Sequence, residues 1–328
     1  MTTPVYSLSI SAAAVLDLHS LNNEGGEGNQ IQTRMVNIVG HDGRLANVNA
    51  ISGDMWKHIQ AEHLFFLATN GGELDLCAGC REFNANRASA DPAYIASIEG
   101  QSDAASLDLL LQRCALDDLE GNLITSGKRS LPRKSVVEFG WVVARPEQVA
   151  TDSYFHVKYA SERSVAQRAA DTSETARQAN LGQAIFHRPA SSGVYAIVAN
   201  LEAARIGFND ISQRYAVDPP TRHRRYRALL ESILYTFIAP KGAMRGTQNP
   251  HIVDVEGVIA VSRTVIPAPT ISALNTDYRT QIGAIADALN GLRPESIELR
   301  PFASLAEFAR EMTDLVVTTE PFTLRYEA

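Results

Sequence analysis

The sequence predicts an α+β protein, and three observations support this class. Segments in which apolar and polar residues alternate, as in strands, occur near the start, in the middle and late in the chain. Segments with apolar residues at helical spacing separate them. Hydrophobic residues make up 45% and charged residues 20% of the 328 residues, a balance typical of a globular protein with a core.

Composition also excludes several classes of protein. No apolar stretch approaches the ~20 residues that span a bilayer, and the first residues lack the charged start and apolar block of a secretory signal. Three cysteines cannot form a full disulfide framework. We therefore expect a cytoplasmic protein of about two domains with no membrane partner.

The charge is distributed unevenly along a chain whose net charge is −7. Residues 128–269 hold 19 basic and 12 acidic side chains, a net charge of +7, whereas the segments before and after carry −10 and −4. This asymmetry indicates a middle region that faces a polyanion, although solvated helix faces would also explain it.

The first half of the chain is predicted to begin with a strand and to contain one long helix. Tyr6, Leu8 and Ile10 alternate with serines over residues 5–18. Ser52 is a plausible N-cap for a helix that continues to Leu67. The remaining predictions are a glycine-rich loop over 21–30, a strand over 31–39, a turn at 41–43 and a helix-rich region over 71–127 that includes Ala104–Leu116.

The second half is predicted to be richer in strands. Residues 161–182 are polar and cannot bury a core face, and short β-like arms flank them at 154–160 and 183–188. The other predicted elements are strands at 135–144, 193–201 and 251–262, a helix over Pro219–Ile238, and a tail after Pro269 that reads helix, strand, helix.

The strong elements follow the order strand, helix, strand, strand, helix, strand. This β-α-β-β-α-β order is typical of a ferredoxin-like or RNA-recognition fold, here with long insertions after the first helix and between the middle strands.

The sequence offers little catalytic or metal-binding chemistry. Cys77 and Cys80 form a CxxC pair, but Cys114 is distant in the chain and no second pair or HxxxH motif completes a zinc site. We expect buried thiols and no metal. The HExxH, GxSxG, Walker A and GxGxxG motifs are absent, so we expect no catalytic residue and no cofactor.

Three segments suit a phosphodiester backbone, although each could equally be solvated surface. The helix start at Ser52-Gly53 offers backbone N–H groups, with Lys57 and His58 in the next turn. Residues 221–227 carry four arginines. Residues 239–249 form a glycine-interrupted loop with two basic side chains.

Several segments together resemble the DevR-type CRISPR-associated autoregulator family, the backbone subunits of type I CRISPR surveillance (Cascade) complexes. No single motif is specific, but the set occurs in the right order over residues 5–262. The segments are the opening strand with Leu21-Asn-Asn-Glu, Ile51-Ser-Gly-Asp-Met-Trp-Lys-His58, Asp118-Leu-Glu-Gly-Asn-Leu-Ile124, Gln183-Ala-Ile-Phe-His-Arg188 with Gly193-Val-Tyr195, and Lys241-Gly-Ala-Met-Arg245.

The resemblance implies an RNA-recognition/ferredoxin-like palm, a helical fingers insertion and a β-hairpin thumb. Copies of such a subunit polymerise along the spacer of a guide CRISPR RNA, and each thumb folds over the guide. The implied boundaries are 1–69 for the first half of the palm, 70–127 for the fingers, 128–154 for a palm strand, 155–190 for the thumb, 191–265 for the second half of the palm and 266–328 for a C-terminal extension that packs on the palm.

The resemblance also implies a set of RNA contacts and partners. The partners are the guide RNA, the target DNA strand through that guide, further copies of the chain and other Cascade subunits. Asp54 departs from the neutral or basic residue expected beside the helix start. The candidate RNA-binding residues are Asn22, Asn23, Arg34, Ser52, Gly53, Lys57, His58, Lys158, Arg163, His187, Arg188, Lys241, Gly242, Arg245 and Asn249.

Two alternatives remain open. Backbone subunits of type III complexes look similar but cut target RNA with an acidic residue, for which Asp118 or Asp42 would be the candidates. A DNA-binding autoregulator is the other alternative, although no helix-turn-helix pattern supports it.

Overall fold

The computed structural model describes residues 2–40, 42–71, 73–126, 129–159 and 183–325. The polar stretch 161–182, with Arg163, lies outside these residues, and so does the side chain of Lys158. None of the helices in the described ranges is long and apolar enough to cross a membrane.

Sixteen strands lie in the described part of the chain. They are β1 (Thr3–Val5), β2 (Ser7–His19), β3 (Asn23–Glu27), β4 (Gln30–Thr33), β5 (Met35–Val39), β6 (Leu45–Ile51), β7 (Asn122–Ser126), β8 (Arg129–Arg133), β9 (Val137–Phe139), β10 (Val142–Tyr159), β11 (Gln183–Leu201), β12 (Phe208–Asn209), β13 (Arg214–Tyr215), β14 (His251–Ser262), β15 (Ile297–Phe302) and β16 (Thr319–Pro321).

The described residues also form eight α-helices and two 3₁₀ turns. The helices are α1 (Gly53–Gly71), α2 (Ala78–Arg81), α3 (Pro92–Ser97), α4 (Asp103–Arg113), α5 (Ala115–Glu120), α6 (Pro219–Ile238), α7 (Tyr278–Leu292) and α8 (Leu305–Thr318), and the 3₁₀ turns are Arg87–Ala90 and Ala203–Arg205.

A large, mainly antiparallel sheet organises the molecule. Its main path runs β15-β14-β2-β11-β10-β6-β5. The central strand β2 pairs with β14 on one side and β11 on the other, where Ile10 lies opposite Ile259 and Ala199. The elements β2, α1, β10, β11, α6 and β14 keep the strand and helix order that the sequence predicts.

Both faces of β2 are buried, which explains its nearly unbroken run of small and apolar residues. Leu8 and Ile10 belong to the main core with residues of α1, α6 and α8. On the other face, Ala13 packs in a cluster with Tyr278 of α7. The predicted polar face is covered as well, because the Ser9 hydroxyl donates to the Pro269 carbonyl at 2.6 Å.

Helix α1 packs against α6, and this contact fixes the loop that follows α6. The Trp56 and Phe237 rings meet edge to face at 6.0 Å. Gln60 Nε2 donates to Ser232 Oγ at 2.8 Å inside the contact. Beyond the end of α6, His63 Nε2 lies 3.0 Å from the Ala239 carbonyl oxygen, so the loop after α6 starts beside α1.

Three sequence-based boundaries are wrong. Residues 21–30 are not only loop, because β3 and β4 pair as a hairpin and Gln30 pairs with His187 of β11. The helix predicted over Ala104–Leu116 is broken by the extended backbone of Cys114, which separates α4 from α5. The strand predicted over 135–144 is split into β9 and β10.

Candidate nucleic-acid interface

The loop after α6 docks on the end of β2. Its Ala243 and Met244 amides donate to the Leu21 and Ser20 carbonyls at 2.9 and 3.2 Å. A Cβ on Gly242 would lie 2.5 Å from the Leu21 carbonyl oxygen. Glycine at this position therefore permits packing of the loop on the chain itself.

The segment after β2 also reaches the start of α1. Asn22 Oδ1 accepts from the Ser52 amide at 2.8 Å, and the Asn22 carbonyl accepts from the Arg34 amide at 3.3 Å. Asn23 Oδ1 accepts from the Ser20 hydroxyl at 2.7 Å. Asn22 is 4% exposed, so it positions the neighbouring segments.

The start of α1 is capped as the sequence predicts. The Met55 amide donates to Ser52 Oγ at 3.1 Å, while the exposed Asp54 places a negative charge in the first turn. A Cβ on Gly53 would lie 2.7 Å from the Phe139 carbonyl oxygen, so this glycine too serves packing. Asp54 opposes binding of a second anion at this helix start.

Five separate segments of the chain thus meet on one surface, which we call the junction surface. Gln248 Nε2 donates to the Pro189 carbonyl at 2.7 Å and ties the loop after α6 to β11. The junction surface comprises residues 20–23, Arg34, Ser52, Gly53, 186–189 and 241–249. Eleven of the fifteen candidate RNA-binding residues lie in it, from Asn22 to Asn249.

The cations of the junction surface contact aromatic rings and hydroxyl or carboxylate groups. The Arg188 guanidinium lies 4.6 Å from the Phe186 ring and donates to Thr247 Oγ1 at 2.8 Å. Lys241 Nζ lies 5.2 Å from the Phe66 ring. The Arg245 side chain is 51% exposed, with a carboxylate oxygen of Glu62 at 3.7 Å.

Arg34 lies at the edge of this surface. Its Nε lies 2.5 Å from a Glu24 carboxylate oxygen, and its guanidinium lies 5.4 Å from the centre of the Trp141 ring. The Trp141 side chain is 43% exposed. Arginine over an exposed indole forms a flat surface on which an unpaired base could stack.

Apart from Arg34 Nε, whose contact is the ion pair with Glu24, three buried polar atoms in or beside these segments have no hydrogen-bond partner among the described residues. They are His19 Nε2, Arg188 Nε and Gln248 Oε1. Burial lowers the pKa of His19 to about 4, so its imidazole is neutral at neutral pH. Its Nδ1 lies 3.4 Å from the Leu21 amide, which makes Nε2 the ring nitrogen that carries hydrogen.

Lys57 and His58 lie away from the junction surface, in a cleft of about 350 Å³. Lys57 Nζ donates to the Glu120 carbonyl at 3.0 Å, and the Glu120 carboxylate lies 3.9 Å away. Burial lowers the pKa of Lys57 and raises that of Glu120. Lys57 therefore compensates a buried carboxyl group, whereas exposed His58 packs its ring 5.5 Å from Phe83.

The arginine-rich segment 221–227 is largely structural. Arg222 and Arg225 are 2% and 1% exposed, and only Arg224 and Arg227 of its four arginines are exposed to solvent. Arg225 Nη1 pairs with Asp118 at 2.8 Å, and Arg133 Nη2 pairs with the same carboxylate at 2.7 Å. The segment therefore presents two of its four cations to solvent, because a helix turns only part of such a run outward.

The sequence reasoning missed the aromatic residues of the hairpin formed by β10 and β11. His156 and Phe186 pair across it with stacked rings 5.7 Å apart, and Phe155 meets His187 at 5.6 Å. Phe155 is 58% and Tyr154 46% exposed. Three successive aromatic residues, Tyr154, Phe155 and His156, were the signal that could have revealed them.

Comparison with solved structures returns similar chains at low identity. Two chains described as a CRISPR RNA-guided surveillance complex, one of them pre-nicking, have TM-scores of 0.48 and 0.47 at 12% identity. The alignments cover 94% and 97% of this chain and 98% and 96% of those chains. Csc2 of Thermofilum pendens has a TM-score of 0.37 at 12% identity, with coverage of 96% and 87%.

Sequence comparison gives a clearer result. No curated protein matches the chain. The model of the family described as CRISPR-associated negative auto-regulator DevR/Csa2 matches residues 10–282, which is most of the chain. The resemblance seen in the sequence is thereby confirmed. The chain belongs to the DevR/Csa2 family of CRISPR-associated proteins.

Proposed function

We propose that this chain is the backbone subunit of a type I CRISPR surveillance complex. It binds the spacer of a guide CRISPR RNA, polymerises along it with further copies and presents it for pairing with target DNA in antiviral defence. The observation that carries the proposal, for a member of this family, is the junction surface. Residues from five separate segments converge there with accessible cations beside aromatic rings.

The chemistry of the junction surface suits a phosphate backbone. Within the part of the chain that the structure describes, the Arg188 guanidinium donates to a neutral hydroxyl, and half-exposed Arg245 lies 3.7 Å from its carboxylate partner. A phosphate can replace such partners at little cost, because exposed ion pairs contribute only ~0–1 kcal/mol. The subunit would then hold the guide by its backbone and leave sequence recognition to base pairing.

In this proposal the large sheet is the palm, residues 70–127 are the fingers, and residues 155–190, which include the end of β10 and the start of β11, are the thumb. The exposed Tyr154 and Phe155 on the β10–β11 hairpin offer aromatic faces to unstacked bases. Other subunits of the complex and neighbouring copies of the chain are the remaining partners.

We propose that the subunit does not cut nucleic acid itself. Asp118, the first candidate for a cleaving residue, is fully buried between Arg133 and Arg225 and accepts from the Gly207 amide at 2.9 Å. Asp42 is exposed but faces Arg44. Complementary RNA and DNA should stay intact with the assembled complex and Mg²⁺ or Mn²⁺. Guide-directed cleavage that is lost in Asp42→Ala would overturn this.

The salt dependence of RNA binding tests the proposal directly. Each phosphate contact on a single strand contributes a slope of about −0.7 in log K against log salt concentration. Arg188→Ala, Arg245→Ala and Lys241→Ala should each weaken binding to all spacer sequences alike and reduce that slope by about 0.7.

The matched control is Arg310→Ala, which removes an arginine of α8 whose side chain is 70% exposed. This variant should bind RNA like the unmodified chain. Equal losses at Arg310 and at the three junction residues would contradict the proposal. A strong effect of spacer sequence on affinity, with little effect of salt, would also contradict it, because it would indicate recognition of bases.

A further inference from the structure

Cys114, which is distant in sequence from the Cys77–Cys80 pair, meets these two cysteines in one buried cluster. Cys77 precedes α2 and Cys80 lies within it, whereas Cys114 separates α4 from α5. The Ala115 amide donates to the Asp75 carbonyl at 2.8 Å and holds the two segments together. The expectation of no metal assumed that Cys114 was distant, and in the fold it is not.

Asp117, in the first turn of α5, completes a set of four ligand atoms. The three sulfurs and one oxygen of Asp117 all lie within 4.8 Å of one another, and all four residues are buried. Asp117 Oδ2 lies 3.3 Å from Cys77 Sγ and 3.4 Å from Cys80 Sγ. Ligand atoms at the corners of a tetrahedron around zinc are about 3.5–3.8 Å apart, given Zn–S and Zn–O distances of about 2.3 and 2.0 Å.

The surroundings hold these groups in place as the outer partners of a metal site do. Asp117 Oδ1 accepts from Asn122 Nδ2 at 2.6 Å and from the Ala88 amide at 3.3 Å, which leaves Oδ2 facing the sulfurs. The Cys80 amide lies 3.4 Å from Cys77 Sγ. A Cβ on Gly79 would lie 2.0 Å from the Arg87 carbonyl oxygen, so the turn between the cysteines requires glycine.

The Asp117 carboxylate in this cluster also lacks a basic partner among the described residues. Asp117 is fully buried, and among the described residues no lysine, arginine or histidine pairs with it. Nearby Asp91 and Asp118, by contrast, each have arginine partners at 2.7–2.9 Å. An isolated buried carboxylate is costly, and a divalent cation bound beside it would remove that cost.

We propose that Cys77, Cys80, Cys114 and Asp117 bind one structural zinc ion. Three thiolates and one carboxylate in a compact, closed, four-ligand set suit tetrahedral Zn²⁺, and the closed set leaves no position for substrate. The ion would cross-link α2 to the α4–α5 junction. Zinc uptake at these ligands releases the thiol protons and involves no change of oxidation state.

Metal content and cobalt spectra test the site. The full chain, purified without added metal or chelator, should contain about one zinc ion per chain by elemental mass spectrometry. Replacement of zinc by Co²⁺ should give the intense sulfur-to-cobalt charge-transfer and visible bands of a tetrahedral thiolate site. Cys114→Ser and Asp117→Asn should each lower zinc affinity, and Asp117→Asn should keep the sulfur-to-cobalt bands because the three thiolates remain.

Leu107→Ala is the matched control, because it destabilises the same helical region without removing a ligand. This variant should still bind one zinc ion when folded, as judged by circular dichroism. A folded, fully reduced chain without metal that takes up neither Zn²⁺ nor Co²⁺ would overturn the proposal. A disulfide between Cys77 and Cys80 in protein purified under mild conditions would overturn it as well, because the pair would then be a redox pair.

Discussion

Asp118 is the residue whose replacement should most clearly damage the fold. Its carboxylate lies between the guanidinium groups of Arg133 and Arg225, and all three side chains are buried. Asp118→Ala leaves two cations without their partner, which costs about 3–5 kcal/mol of unfolding free energy. Urea unfolding followed by circular dichroism measures this loss.

Asp42→Ala is the comparison, because Asp42 is exposed and its carboxylate interacts with Arg44 of its own hairpin. Its unfolding free energy should change by no more than about 0.5 kcal/mol. If the two aspartate variants were equally stable, the ion pairs of Asp118 with Arg133 and Arg225 would not stabilise the fold.

His19 should make the stability of the chain depend on pH. Its folded pKa of about 4 lies below the ordinary value of 6.5 because burial disfavours the charged ring. Between these values the unfolded chain binds a proton that the folded chain does not, so stability falls as pH drops from 6.5 to 4. The loss from this group approaches about 3 kcal/mol at pH 4.

The measurement is the unfolding free energy at pH 7 and at pH 4.5, in the unmodified chain and in two variants. His19→Gln should reduce the loss of stability on acidification, whereas His251→Gln, at an exposed position, should leave it unchanged. An unchanged loss in His19→Gln would mean that other groups account for the pH dependence.

At this scale the sequence could identify residue types but not their partners. The four arginines of 221–227 are equivalent in sequence, yet helical geometry buries Arg222 and Arg225 and leaves the others exposed. Lys57 is predicted to contact RNA, and the fold pairs it with Glu120, 63 residues later, which the sequence does not indicate. Such pairings depend on tertiary packing, which no local pattern encodes.

Among the structural elements, the β10–β11 hairpin should contribute most to base stacking. Phe155→Ala should weaken RNA binding by about 1–3 kcal/mol, the usual contribution of one aromatic–base stack. Because Phe155 is 58% exposed, the stability of the chain should barely change. Fluorescence anisotropy with a labelled guide measures the affinity.

Leu292→Ala supplies the control for this substitution, since it removes another large exposed apolar side chain, 78% exposed, at the end of α7. It should bind RNA normally. Loss of affinity in both variants would indicate a general effect of surface apolarity, and loss in neither would remove the hairpin from the interface.

Most elements could be predicted because their periodicity is local. The helix Pro219–Ile238 and the strand His251–Ser262 have the predicted bounds. The hairpin of β3 and β4 could not be predicted, because Asn23–Glu27 is polar, glycine-rich and largely exposed. The segment Asn23–Glu27 forms a strand because it pairs with β4, and β4 in turn pairs with β11.

For the whole molecule, the proposed filament makes a quantitative prediction. If each copy covers a fixed length of guide, the number of bound copies should rise in proportion to the length of the RNA. Mass photometry of complexes with two RNAs, one twice as long as the other, should show a twofold difference in copy number. The double variant Arg188→Ala, Arg245→Ala should assemble fewer copies on both RNAs at the same concentration.

A constant copy number on both RNAs would contradict the filament while leaving RNA binding intact. The salt dependence of RNA binding tests the contacts with RNA, whereas mass photometry tests assembly. The two experiments together distinguish a chain that only binds RNA from one that also polymerises on it.

The pairing of β1 with β16 has a consequence for how the protein is made. Thr3 lies opposite Thr319, so β1 meets its partner strand only after about 300 further residues have been synthesised. At the usual rate of about 5–20 residues per second, that delay is on the order of 16–63 s. The central strand β2 likewise pairs with β14 only after β14 has been synthesised, so one edge of β2 stays unpaired until then. Nascent chains should therefore depend on chaperones, because these early strands stay unpaired until their late partner strands are synthesised.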